Sequence, residues 1–207
     1  MKLRPYGDTG VLIEADAGAD PVALCRAVQA RAVQARALPG MVAVIPGART
    51  VLVEYDPRLM SFDALAAELT ELDVQAEPAT GGAEVTIEVR YDGPDLIAVA
   101  DEVGCSVPDL IRRHSSARYR VAFCGFAPGF AYLRGLDPAL HVPRLAEPRT
   151  AVPAGSVAIA GEFTAVYPRR SPGGWRLLGT SSAQLWQLDH DPPALLTPGT
   201  AVRFVAT

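Results

Sequence analysis

Arginine, aromatic and glycine residues are concentrated in four segments of the second half of the sequence, and each segment reads as a loop rich in turn-forming residues. The segments are 125–133, 143–149, 152–161 and 167–175. Arginine binds carboxylates through two parallel hydrogen bonds, and glycine lets backbone N–H groups approach a ligand closely. Loops of this composition therefore predict a site for a small anionic or amide substrate.

Seven residues of these segments are the candidate substrate-binding residues. They are Phe126, Pro128, Arg144, Arg149, Ser156, Tyr167 and Trp175. A structural interpretation stands beside this one, in which Gly and Pro shape the turns of a β-barrel and the aromatic rings fill its ends. Arg169 and Arg170 are expected to form a solvated loop face.

Other catalytic patterns are weak or missing in the sequence. The run Ala154-Gly155-Ser156-Val157-Ala158 lacks the second glycine of a nucleophile elbow, and Cys124 is a lone cysteine. There is no Walker A loop and no Gly-rich loop opening a helix, so the chain alone shows no means of holding ATP. The three histidines, His114, His141 and His190, are too far apart for a metal-binding spacing, and no metal site is predicted.

The composition excludes several classes of protein. The 207 residues are 49% hydrophobic and 20% charged, which is typical of a soluble globular chain. A net charge of −4 gives no electrostatic case for binding nucleic acid or an anionic membrane. No apolar run is long enough for a membrane span or a signal peptide, and the three cysteines form no CxxC pair. We therefore expect reduced thiols and a cytoplasmic location.

The first 80 residues alternate between strand and helix patterns in the order ββαββα. Strand patterns at 4–14 and 42–55 each contain a turn, at Gly7-Asp8 and at 46–49, and so predict two hairpins. Asp20-Pro21 predicts the start of a helix that runs to about Leu38, and Ser61 that of a second helix. This order indicates a small α+β domain with its helices on one face of a sheet.

Residues 77–82 have the composition of a linker, which places a domain boundary near residue 80. After a strand at 85–89, a helix pair is predicted near 94–115, and from Tyr119 onward short apolar runs are separated by Gly and Pro. We predict a second, barrel-like domain over 81–207 with the helix pair inserted. Residues 97–114 also fit a helix-turn-helix pattern, but the second helix offers only Arg112 and Arg113 as basic groups, which disfavours DNA binding.

The loop segments also resemble a known family. The segment 125–133, the two Pro-Arg pairs at 143–144 and 148–149, and the Ser-Pro-Gly-Gly-Trp sequence at 171–175 are similar to the KipI/PxpB family, whose members are also called allophanate hydrolase subunit one or the B subunit of 5-oxoprolinase. The resemblance extends over nearly the whole chain. It departs from the family at Phe163, where a polar residue is usual, and at Ala165, where glycine is common.

The resemblance implies an α+β fold with a small ferredoxin-like α/β N-terminal domain and a cyclophilin-like β-barrel C-terminal domain. It further implies the function of the B subunit of a 5-oxoprolinase, which opens 5-oxoproline to L-glutamate with ATP and Mg²⁺. The partners would be the C subunit, a related barrel protein, and the A subunit, which is of the LamB/YcsF type, and this chain would be inactive alone. His114 lies in a stretch that matches the family and is the candidate general acid/base.

Two alternative functions follow from the same resemblance. One is a component of an allophanate or urea-type amidolyase or carboxyl-transfer enzyme, because these substrates share the N–C(=O) group of oxoproline. The other is a KipI-like inhibitor of a sensor histidine kinase.

Overall fold

A computed structural model describes residues 1–16, 19–35, 38, 40–72 and 84–207 of the chain. The polypeptide divides into two compact units, Met1–Thr80 and Gly81–Thr207. The predicted linker at 77–82 lies outside the described residues. None of the described helices is long and apolar enough to cross a membrane.

The described residues of the first unit form four strands and two helices. In chain order they are β1 (Lys2–Tyr6), β2 (Gly10–Glu14), α1 (Pro21–Ala35), β3 (Met41–Pro46), β4 (Thr50–Tyr55) and α2 (Phe62–Thr70). The strands form one antiparallel sheet in the order β1-β2-β4-β3. Both predicted hairpins are present, and the ββαββα order is as predicted. The ferredoxin-like description of this unit stays a prediction.

Local sequence signals account for the helices of this unit. The Asp20 carboxylate accepts a hydrogen bond from Val22 N–H at 3.0 Å, and the Ser61 hydroxyl accepts one from Ala64 N–H at 3.2 Å. Each cap satisfies a backbone donor that the first turn of a helix leaves free. Leu65 and Leu69 of α2 are fully buried in the apolar core beneath the sheet, as their helical spacing predicts.

The second unit, as described from residue 84 onward, forms nine strands and a helix pair. In chain order they are β5 (Val85–Val89), α3 (Leu96–Glu102), α4 (Val107–Ser116), β6 (Tyr119–Cys124), β7 (Ala131–Arg134), β8 (Arg149–Val152), β9 (Ser156–Ala160), β10 (Phe163–Val166), β11 (Ser171–Gly173), β12 (Arg176–Thr180) and β13 (Ala201–Ala206). The Ser106 hydroxyl accepts a hydrogen bond from the Asp109 N–H group and so caps α4.

Seven of these strands form one sheet in the order β12-β9-β10-β7-β6-β13-β5. The two edge strands then meet, because Arg90 and Thr180 exchange backbone hydrogen bonds of 2.9 and 2.8 Å. The sheet is therefore a nearly closed barrel. Closure leaves few free strand edges and encloses the main core of this unit, which the α3–α4 pair covers on one side.

Two glycines permit this closure by letting backbones approach each other. A Cβ atom on Gly93 would lie 2.3 Å from the Leu177 carbonyl oxygen, and one on Gly179 would lie 2.3 Å from the Arg90 carbonyl oxygen. Both distances are below any real non-bonded contact, so only glycine fits on each side of the seam. The remaining strands, β8 and β11, form a separate two-stranded ribbon that carries residues of the candidate site.

Candidate functional site

Seven aromatic rings pack together in the barrel unit, and we refer to them as the aromatic cluster. They are Phe123, Phe126, Phe130, Tyr132, Phe163, Tyr167 and Trp175. Phe130 contacts Phe126, Tyr167 and Trp175 edge to face, with ring centroids 5.1, 5.2 and 5.7 Å apart. Edge-to-face pairs are the preferred arrangement of aromatic rings, so the cluster forms a rigid wall.

One ring of the cluster faces outward. Phe126 is 58% exposed and has a φ angle of 67°, whereas Phe130 and Tyr167 are buried. A non-glycine residue in the left-handed region costs about 1–3 kcal/mol and persists only where the surrounding structure enforces it. Here a tight loop enforces it, since Ala127 N–H donates to the Gly125 carbonyl and Phe130 N–H donates to the Ala127 carbonyl. Pro128 is exposed in the same loop.

The Tyr167 ring lies directly over Gly173 of β11. A Cβ atom at Gly173 would lie 2.3 Å from the Tyr167 hydroxyl oxygen and 3.0 Å from its ring carbon Cζ. Of the two glycines in the Ser-Pro-Gly-Gly-Trp sequence, the first, Gly173, is therefore required, because a side chain there would collide with the Tyr167 phenol. The second glycine, Gly174, has no such contact, because its Cβ would meet its nearest neighbours at 3.6 Å.

We predict that Gly173→Ala displaces the Tyr167 ring and lowers the free energy of unfolding by about 1–3 kcal/mol, the usual cost of overpacking a filled site. Gly174→Ala is the matched control, because the added methyl group makes only ordinary contacts. Thermal unfolding and near-ultraviolet circular dichroism of the two variants measure the difference. Equal stability of the two variants would contradict the prediction.

Arginines lie close enough to the two phenols of the cluster to affect their ionisation. Burial raises the pKa of Tyr132, and the positive charge of Arg144 opposes this shift. Burial likewise raises the pKa of Tyr167, while a backbone hydrogen bond from Trp175 and the charges of Arg144 and Arg149 oppose it. Both phenols consequently keep their protons at neutral pH and can donate hydrogen bonds to an anion or a carbonyl oxygen.

The two arginines are held differently. Arg144 is exposed and forms no salt bridge with any residue of the described part of the chain. Arg149 is mostly buried and donates from Nη2 to the Asp95 carboxylate at 2.7 Å. The structure thus combines a free cation and a fixed cation beside the Tyr167 phenol, and this arrangement suits the binding of a carboxylate or of an oxygen that gains negative charge.

Ser156 is placed differently from the sequence prediction. It begins β9 and is buried, and its hydroxyl donates to the Pro153 carbonyl oxygen at 2.9 Å within its own turn. Its backbone carbonyl accepts from Tyr167 N–H at 2.9 Å. The residue therefore supports the position of Tyr167, and its hydroxyl is already occupied.

His114, the predicted general acid/base, lies in the barrel core and is fully buried. Its ring stacks on Phe204 with centroids 4.8 Å apart, and both ring nitrogens have hydrogen-bond partners. Burial lowers its pKa to about 3. A neutral, enclosed and fully bonded imidazole cannot exchange protons with a substrate near the aromatic cluster, so we correct the sequence prediction and assign His114 a structural role.

The hydrogen bonds define the tautomer of His114. The Thr164 hydroxyl donates to the Ala158 carbonyl at 3.0 Å, so its oxygen accepts the 3.0 Å hydrogen bond from Nε2–H of the histidine. Nδ1 must then be unprotonated, and it accepts the 2.7 Å hydrogen bond from the Tyr91 hydroxyl. The chain Tyr91–His114–Thr164 is a fully satisfied buried network.

Two further site residues were missed by the sequence interpretation. Tyr132 stacks on Phe123 with centroids 4.1 Å apart and contacts Trp175 edge to face. Its position in the segment 125–133, two residues after Phe130, was the signal available. Asp95 had no such signal, because its contacts with Arg149 and Leu177 are distant in sequence. In the described part of the chain, no group of three or more His, Cys, Asp or Glu residues could hold a metal ion.

Comparisons with known proteins relate the chain to carboxyltransferase-like and 5-oxoprolinase proteins. The family described as carboxyltransferase domain, subdomain C and D, matches residues 1–196. The B subunit of 5-oxoprolinase from Escherichia coli O157:H7 is 40% identical, and the alignment covers 99% of this chain and 96% of that protein. That of Bacillus subtilis is 35% identical, with 84% of this chain and 78% of that protein covered.

Solved structures support the same relationship at the level of the fold. TTHA0988 has a TM-score of 0.79 and 38% identity over 100% of this chain, which spans 40% of the length of that chain. The urea carboxylase of Kluyveromyces lactis has a TM-score of 0.76 over 99% of this chain and 21% of its own length. At 21% identity, this second likeness shows a shared fold alone.

Proposed function

The chain belongs to the family of 5-oxoprolinase B subunits, and from that membership we propose that it is the B subunit of an ATP-dependent 5-oxoprolinase. The observation that carries the proposal is the 40% identity with the Escherichia coli protein over 99% of this chain. The reaction would convert 5-oxo-L-proline, ATP and water into L-glutamate, ADP and phosphate. We further propose that it takes place in the cytoplasm, in a complex with the C and A subunits, and that this chain alone is inactive.

The chemistry of the substrate agrees with the candidate site. Oxoproline carries a carboxylate and a cyclic amide whose resonance makes the carbonyl carbon a poor electrophile. Opening the ring requires activation of that carbonyl, and activation places negative charge on its oxygen. Arg144 would bind the substrate carboxylate, and the protonated phenols of Tyr132 and Tyr167 would donate hydrogen bonds to the carbonyl oxygen. The aromatic cluster would exclude water from one side of the ring.

The residues of this chain do not match those that usually bind the phosphates of ATP. The sequence has no Walker A loop and no Gly-rich loop that opens a helix, and the arginines of the candidate site number two, one of which is held by Asp95. We therefore assign no residue of this chain to ATP. In this proposal the nucleotide and Mg²⁺ are bound by the other proteins of the complex.

Reconstitution tests the proposal. The chain is purified with its C and A subunits, and L-glutamate formation from 5-oxoproline and ATP is measured, with each of the three proteins omitted in turn as the control. Glutamate formed only by the full set supports the function. A full set that forms no glutamate but consumes urea or allophanate would overturn it in favour of the amidolyase or carboxyl-transfer alternative.

A further inference from the structure

Asp95 occupies the N-cap position of α3, yet its side chain makes no capping hydrogen bond. Aspartate is among the preferred N-cap residues because its carboxylate normally accepts from a backbone N–H group of the first turn. Here Oδ1 accepts from Arg149 Nη2 at 2.7 Å, and Oδ2 accepts from the backbone N–H group of Leu177 at 2.7 Å. The carboxylate thus binds residues of β8 and β12 and does not cap its own helix.

The two members of the Asp95–Arg149 pair are bonded to different extents. Asp95 is 7% exposed, and both of its oxygens are engaged, so its carboxylate cannot move without losing two hydrogen bonds. Arg149, by contrast, uses one terminal nitrogen for this pair, and its other terminal nitrogen, Nη1, is buried with no acceptor among the described residues. The Arg149 side chain as a whole nevertheless keeps 28% of its surface exposed, so it remains partly accessible to a ligand.

The position of Arg149 relates this donor to the aromatic cluster. Arg149 pairs with Gly173 across the β8–β11 ribbon, and Gly173 is the residue on which the Tyr167 phenol rests. The charge of Arg149 also acts on the Tyr167 hydroxyl. One end of the guanidinium is therefore fixed by Asp95, while the whole group remains beside the phenol of the candidate site.

We propose that Asp95 is a positioning residue, which fixes the partly exposed Arg149 side chain so that its guanidinium can bind the substrate carboxylate together with Arg144. This proposal rests on the proposed function. An arginine already held in its binding orientation loses little side-chain entropy when the substrate binds, so the expected effect lies in substrate binding rather than in the later chemical step. Asp95 itself does not touch the substrate.

The main test is Asp95→Asn in the reconstituted complex. Asparagine keeps the volume and one acceptor for Leu177 N–H but removes the charge that holds Arg149. We expect KM for 5-oxoproline to rise by about tenfold or more while kcat changes less than about threefold, because the lost interaction acts on binding. An unchanged KM in a folded variant would overturn the proposal.

The chain offers a matched control in Asp137. Its carboxylate accepts from Ala139 N–H at 2.9 Å and from Arg113 Nη1 at 3.1 Å, so it repeats the pattern of one backbone donor and one arginine. Arg113 likewise has a buried nitrogen, Nε, without an acceptor in the described part of the chain. Asp137→Asn should leave KM unchanged; a rise equal to that of Asp95→Asn would show a general effect of breaking such pairs and would overturn the proposal.

A double variant separates positioning from support of the fold. If Asp95 acts through Arg149, then adding Asp95→Asn to Arg149→Gln should raise KM no further than Arg149→Gln does alone. If KM of the double variant instead rises by the product of the two single effects, the proposal is overturned. Should Asp95→Asn fold poorly, Asp95→Glu keeps the charge and displaces it by one methylene group, and the same rise in KM is expected at near-normal stability.

A readout that does not need activity distinguishes this proposal from the proposed function. In ¹⁵N NMR spectra of the full chain, the Nη atoms of a fixed arginine give separate signals because rotation of the group is slow. We expect this for Arg149 in the unmodified chain and its loss in Asp95→Asn; averaged signals in the unmodified chain would overturn the proposal. An unmodified complex that forms no glutamate overturns the proposed function instead, whatever the spectra show.

Discussion

Arg144→Ala is expected to lower kcat/KM for 5-oxoproline by about 10²–10³-fold in the reconstituted complex, because it removes the cationic partner of the substrate carboxylate, a loss that typically costs about 2–5 kcal/mol. The free energy of unfolding should change by less than about 0.5 kcal/mol, as is usual for surface substitutions. The reason is the setting of this side chain: it is exposed, and its charge acts on both the Tyr132 and the Tyr167 phenols. Removing it should therefore weaken substrate binding and leave the packing of the fold almost unchanged.

The measurement is a pair of assays on one set of variants, steady-state kinetics of the complex and thermal unfolding of the isolated chain. Arg169→Ala and Arg170→Ala are the controls, because these arginines are exposed and belong to the same group of loops. Both controls should keep full activity. If Arg144→Ala is as active as they are, Arg144 is part of a solvated surface and the candidate site is misplaced.

Arg149 should behave differently, although sequence alone leads to the same expectation for the two arginines. Arg149→Ala removes the partner of the mostly buried Asp95 carboxylate and leaves that charge unpaired. Because the arginine keeps 28% of its side chain exposed, the full penalty of a broken buried pair is reduced by solvent, and we expect a loss of about 1–3 kcal/mol. Activity and stability should fall together at this position.

The sequence predicts the long elements of this fold and misses the short ones. The alternating pattern at 85–89 predicts strand β5 with its observed bounds, because alternation of apolar and polar residues is a local signal. The segments that contain β8 and β11 read as loops in the sequence, because strands of four and three residues carry too little periodicity to predict a strand. Their pairing is what places Arg149 opposite Gly173, so the geometry of the site depends on the least predictable elements.

The candidate site shows the same division between local and distant signals. Phe126, Tyr167 and Trp175 were found from composition alone, and the structure gathers them around Phe130. Exposure cannot be read from a residue type, so the sequence predicts His114 as a general acid/base, although the folded chain buries it fully. Contacts between residues far apart in sequence, such as Asp95 with Arg149, carry no local pattern at all.

The buried His114 should make the stability of the barrel unit depend on pH. Its pKa is about 3 in the folded chain and near 6.5 when exposed to solvent. A group whose pKa is lower in the folded state favours folding fully above pH 6.5, and this contribution is lost as pH falls from 6.5 toward 3, because the unfolded chain then binds a proton that the folded chain excludes. The expected slope is about 1.4 kcal/mol of unfolding free energy per pH unit.

The variant that isolates this effect is His114→Gln. A glutamine oxygen can accept from Tyr91 and its amide can donate to Thr164, which repeats the roles of Nδ1 and Nε2 without a titrating group. His190→Gln is the control, because this histidine is exposed and should leave the slope as it is. Both tryptophans, Trp175 and Trp186, lie in the barrel unit, so their fluorescence during denaturant unfolding reports on that unit alone.

The difference between the slopes of the unmodified chain and His114→Gln is the decisive quantity. Carboxylates with lowered pKa values, such as Asp137, also favour folding at higher pH, but their contribution falls away below pH 3.8 and is common to both proteins. Subtracting one curve from the other therefore leaves the histidine alone between pH 4 and about 6.5. Parallel curves would mean that His114 gains a proton in the folded chain, and the neutral buried network of Tyr91, His114 and Thr164 would then be wrong.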